Sequence, residues 1–140
     1  MKYISYIYRK TISPFVLFIV FAAFLFPLEG TASSGQAVTG KLKVTGNKIV
    51  LELQITSPAP EAIIVTEQLP KGVHLTKATP KYSKFVSDKG KVKWLLKGLS
   101  PGTHKVTVEL EKQVSKKGIK AVLSYRDPST GTLSRLEITP

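Results

Sequence analysis

What most constrains the fold of this chain is a two-residue hydrophobic period that is repeatedly interrupted and restarted. From Ala59 to Leu110 it reads APEAIIVTEQLPKGVHLTKATPKYSKFVSDKGKVKWLLKGLSPGTHKVTVEL. Three punctuated turns break this run, at Leu69-Pro70-Lys71-Gly72, Ser87-Asp88-Lys89-Gly90 and Leu99-Ser100-Pro101-Gly102. Glycine and proline at these spacings end one strand and begin the next. In Lys91 to Lys97, Val92, Trp94 and Leu96 fall on one face, and Lys91, Lys93, Leu95 and Lys97 on the other. Such alternation predicts strands with one buried and one wet face.

The same pattern extends to both sides. Ile49, Leu51, Leu53 and Ile55 alternate with Lys48, Glu52 and Gln54, and the preceding Gly46-Asn47 suits a two-residue hairpin turn back to a strand carrying Val38, Leu42 and Val44. Ala62 to Leu69 is apolar on both faces at Ile63, Ile64 and Val65, which predicts a strand crossing the middle of a sheet. Val73 to Ala78 reads as a further strand, and Tyr82 to Val86 as an edge strand or a turn. His104, Val106, Val108 and Leu110 form one inward set, and Ile119, Ala121, Leu123 and Tyr125 another; Leu136 and Ile138 mark a last strand. No stretch after the first 32 residues sustains a helical period. Strands recurring about every ten residues predict one all-β domain, an antiparallel β-sandwich of about seven to eight strands over 38–140.

The first 32 residues have a different grammar. Lys2, Arg9 and Lys10 precede an apolar run of twelve residues, Phe15 to Phe26, short of the about 20 needed to span a bilayer. After Pro27, the small residues Gly30 and Ala32 suit signal peptidase, so residues 1–32 read as a signal-peptide helix cut after Ala32. The competing reading retains Ile12 to Leu28 as an uncleaved anchor. Either reading exports the rest, to a secreted, periplasmic or cell-surface location. Residues 33–37 read as a flexible N-terminus.

From Ser33 to Pro140 there are 18 Lys+Arg against 8 Asp+Glu, a net charge of +10. Lysine dominates, which suits diffuse attraction to polyanions rather than bidentate recognition of one phosphate, and argues against sequence-specific nucleic-acid binding. The chain has no cysteine, which excludes disulfides, thiolate catalysis, cysteine-ligated zinc and lipobox lipidation.

The runs VTEQLPKGVHLTKATP and KVKWLLKGLSPGTHKVTVEL together resemble the conserved-repeat, immunoglobulin-like domains of bacterial and archaeal envelope and surface proteins. Leu69, Pro70 and Gly72 match that family's Leu-Pro-x-Gly strand end, and Trp94 with Leu99, Pro101 and Gly102 matches its tryptophan strand and following turn. The resemblance covers Gln54 to Leu110. It implies an immunoglobulin-like sandwich in an exported protein, and supplies no catalytic residues.

The residues with chemical potential are few. His74 and His104, the two imidazoles, lack the company that a metal site needs. Glu109 and Glu111 share one strand face about 7 Å apart, without an opposing element to make a glycosidase cleft. No catalytic, metal or cofactor site is expected. Trp94, with Tyr82, Phe85 and Tyr125, would be a sugar-stacking platform if exposed, but its phase with Val92 and Leu96 turns it inward. The lysines remain: Lys91, Lys93 and Lys97 share a strand face, and Lys105 joins them in one basic patch if its strand pairs with theirs. The expected protein is a non-enzymatic binding or structural module at the cell envelope, its lysine patch held against an anionic envelope polymer or lipid surface, or contacting a partner protein, with the membrane otherwise reached only through the leader if that stays uncleaved. The alternative is an accessory carbohydrate-binding protein using exposed aromatics.

Overall fold

The computed structural model describes residues 35–140; the expected leader, its cleavage point and the anchor reading lie outside the described residues. Nine strands follow in order: β1 (Val38–Thr45), β2 (Lys48–Ile55), β3 (Ala62–Gln68), β4 (Leu75–Thr79), β5 (Lys84–Val86), β6 (Lys91–Lys97), β7 (Gly102–Leu110), β8 (Lys120–Arg126) and β9 (Leu133–Ile138). They form two antiparallel sheets, β1-β2-β7-β4 and β5-β6-β3-β8-β9, in the manner of a β-sandwich. The count exceeds the expected seven to eight because Lys84–Val86, whose sequence fitted either an edge strand or a turn, is an edge strand paired with β6.

Local chemistry explains the elements. Gly46 takes φ 61° at the first central position of the β1–β2 turn, so a two-residue loop closes the hairpin with Thr45 opposite Lys48. β3, apolar on both faces, is the centre of the five-stranded sheet, between β6 and β8. The β4–β7 ladder shifts register between Leu75 and Lys77, so that Ala78 packs against the core while Lys77 is exposed. A single 3-10 turn at Ser87–Lys89 ends at Gly90, whose φ of 59° lets the backbone double back; the Gly90 carbonyl accepts the Leu69 amide at 2.7 Å.

One core lies between the sheets. Ile49, Leu51, Leu53 and Ile55 from β2 and Val106, Val108 and Leu110 from β7 meet Ile63, Val65, Val92, Trp94, Ala121 and Leu123 from the other layer. The Trp94 indole donates to the Pro80 carbonyl at 2.9 Å, which satisfies its only polar atom as the ring is buried. Order begins earlier than the strands do: Ala37 is buried, and its carbonyl accepts from the Thr56 amide at 2.9 Å. At one side β1 meets β9 across the layers, where Gly40 leaves the space that the Ile138 Cδ1 atom fills.

Candidate functional site

The outward faces of the two sheets differ in how their charges are compensated. On β1-β2-β7-β4, each outward carboxylate is held by lysine. Glu52 bridges Lys43 at 3.0 Å and Lys105 at 3.2 Å, and Glu109 sits 3.8 Å from Lys48. Hydrogen bonds from Lys43 first and Lys105 second hold the Glu52 carboxyl below its ordinary range.

On the five-stranded sheet the register builds a different surface. Lys84 opposes Lys93, which opposes Thr66, which opposes Val122, and in the next row out Lys91 opposes Gln68, which opposes Lys120. Arg135 opposes Ser124, and Arg126 opposes Leu133. All these side chains project away from the core, because residues two apart on a strand share a face. The sole ion pair they make among the described residues is Lys120 with Glu137, at 3.1 Å. Arg126 turns its guanidinium to the Gly131 carbonyl. Lys84, Lys91, Lys93, Lys97 and Arg135 make no ion pair among the described residues. The lysines around β3 and β8 line a shallow groove of about 350 Å³ with Arg135 and Ser124.

Lys91, Lys93 and Lys97 are thus brought together as expected from their spacing, all exposed on β6. Lys105 is not with them. The turn after β6 crosses from one sheet to the other, β6 and β7 do not pair, and Lys105 stands on the opposite outer face, opposite Glu52 in the ladder. The residues that complete the patch are Lys84, Lys120 and Arg135. Their strand phase is readable in the sequence, but their sheet partners are not.

The aromatic candidates have other roles. Trp94 and Tyr125 are buried, and Tyr82 and Phe85 meet edge to face at 63° with centroids 6.1 Å apart, so these four rings present no flat stacking row. His104 is half-buried, with Nε2 2.7 Å from the Ser100 carbonyl oxygen, and His74 is exposed. No group of three or more His, Asp or Glu side chains is arranged to hold a metal among the described residues.

One ionisable side chain escaped the sequence reading. Glu67 points into the core in phase with Ile63, Val65 and Leu69, is fully buried, and neither carboxylate oxygen has a hydrogen-bond partner among the described residues. Burial pushes its pKa up to about 8. The alternation of β3 carried that signal, since Glu67 occupies an inward position.

No family model, curated protein or solved structure matches this chain.

Proposed function

We propose that this chain is an exported, non-enzymatic binding module of the cell envelope that holds a polyanionic surface against the outer face of its five-stranded sheet. The observation that carries the reading is the asymmetry of compensation among the described residues: on one outer face Lys43, Lys48 and Lys105 are ion-paired and only Lys41 and Lys77 are not, while on the other Lys120 alone is paired and Lys84, Lys91, Lys93, Lys97 and Arg135 are not. Uncompensated like charges on a flat face repel one another, and an anionic partner relieves that repulsion. Export is inferred from the leader sequence.

The arrangement of strands supports an immunoglobulin-like reading. β1-β2-β7-β4 occupy the places of strands A, B, E and D; β3-β8-β9 occupy those of C, F and G, and β5 and β6 extend that sheet as C″ and C′ do in variable-type domains. The connectivity departs in two respects: β4, in the D place, precedes β5 and β6 along the chain instead of following them, and β5, in the C″ place, precedes β6 in the C′ place.

The test is salt-dependent retention on host envelopes. Lys91→Gln, Lys93→Gln and Lys97→Gln together abolish retention at low salt, whereas Lys43→Gln with Lys105→Gln on the opposite face leaves it in place. Equal retention of the triple variant and the double variant sinks the reading, because screening acts on whichever exposed charges make the contact.

A further inference from the structure

The basic face is not uniformly basic, and its uneven part identifies the polyanion. Leu95 is 47% exposed and Leu133 76% exposed, the large apolar side chains most open to water among the described residues. Both lie on this same face, Leu95 opposite Ile64 on β3 and Leu133 opposite Arg126 on β8. They line one open groove of about 490 Å³ with Ile64, Ala62, Ala59 and Pro128. The cations continue around it, with Lys93 and Lys97 flanking Leu95 along β6 and Arg135 two residues beyond Leu133 on β9. Two carboxylates reach the groove. Asp127 is turned into its own loop, where its Oδ1 accepts the Ser129 and Thr130 amides at 2.8 and 3.1 Å, and Glu61 is exposed at the rim.

A hydrated polyanion chain has use for the cations and none for two exposed leucines, Leu95 between Lys93 and Lys97 and Leu133 beside Arg126 and Arg135. A bilayer bearing anionic headgroups has use for both, since phosphates meet the cations while short apolar side chains enter the headgroup boundary. We propose that this face docks onto an anionic lipid surface, with Leu95 and Leu133 entering the interface and Lys91, Lys93, Lys97 and Arg135 contacting headgroups. The proposal rests on the polyanion reading of the face and narrows it to one source.

The chain has no cysteine, so a single introduced thiol reports one face without interference from the rest of the protein. The full chain carrying Leu95→Cys, and separately Lys41→Cys on the opposite sheet as control, is labelled with an environment-sensitive dye. Each is titrated with vesicles of phosphatidylcholine alone or of phosphatidylcholine and phosphatidylglycerol in equal parts, and with soluble polyphosphate. The expected result is a blue shift at Leu95→Cys with phosphatidylglycerol vesicles only, none at Lys41→Cys, and loss of the shift in the Lys91→Gln, Lys93→Gln, Lys97→Gln background. Adding Leu133→Ser, a substitution at an exposed position, weakens vesicle binding roughly tenfold and leaves polyphosphate binding unchanged, because only the apolar contribution is removed. Equal shifts on both faces, or a shift with phosphatidylcholine alone, overturn the proposal. Polyphosphate binding without any vesicle shift overturns the lipid surface and leaves the polyanion reading standing; binding to neither overturns both.

Discussion

Replacing Glu67 by methionine changes how the stability of this protein depends on pH, and the sign follows from its burial. The carboxyl is enclosed with no partner for either oxygen among the described residues, and its pKa is raised from an ordinary 4.5 to about 8. Between those values the folded chain keeps a proton that the unfolded chain releases. The native state is therefore fully favoured below about pH 4.5, and loses roughly 1.4 kcal/mol per pH unit as pH rises to about 8. Across the whole window the loss is of the order of 4 to 5 kcal/mol, a large part of the about 5–15 kcal/mol that a domain has in total. Glu52 works in the opposite sense, since its lowered pKa adds stability above its ordinary value that is lost as pH falls, so it does not mimic the effect. Methionine has similar length and no charge, and faces Val92 and Ala121 across the β3 ladders. In urea titrations from about pH 5 to pH 8, the wild-type midpoint should fall by roughly 0.5 to 1 M per pH unit, while Glu67→Met stays flat in that window. Parallel curves for the two proteins would refute the reasoning, for they would mean that Glu67 ionises as freely folded as unfolded.

Two further substitutions test the packing. Gly90→Ala places a Cβ 2.5 Å from the Leu69 carbonyl oxygen at φ 59°, so it should cost at least about 2 kcal/mol by thermal melting; Gly98→Ala, at φ 62° with nothing within 4 Å, should cost only the about 1 kcal/mol of its backbone conformation. Equal losses would show that the Leu69 contact is relieved without cost. The Tyr125 hydroxyl is buried without a partner among the described residues, so Tyr125→Phe should leave stability unchanged or raise it by up to about 1 kcal/mol, and a clear loss in the same melts would reveal a partner for that oxygen.

Much of the architecture was legible because side-chain period is a local property. Ile49 through Ile55 alternate as they do because one face of β2 meets the core, and the doubly apolar Ile63-Ile64-Val65 marks β3 as a central strand. The inward turn of Trp94 followed from its phase with Val92, and its burial agrees. The candidate surface was legible only strand by strand. Lys91, Lys93 and Lys97 are bound together by one strand, but membership of a sheet is settled by pairings between distant residues. A Pro-Gly turn that passes from one layer to the other has the same local signature as one that makes a hairpin. Lys105 therefore falls on the far face, and Arg135, forty residues or so from Lys93 in sequence, falls on the near one. Glu67 was legible in phase but not in consequence, because the absence of a partner depends on what three strands bring to one spot.

The order of strands also bears on when this protein can fold. β3 must wait for β6 on one side and β8 on the other, and Leu51 of β2, paired on one side with Leu42 of β1, finds its second ladder partner only at Val106. Between them the chain passes from one layer to the other at β4, back at β5 and across again at β7, so no early portion closes either sheet. Loop-closure entropy is spent long before such distant contacts return it, and chains of this kind fold on the slow side of the range for their size. A chain emerging N-terminus first would thus leave both sheets open until β7 and β8 had been made.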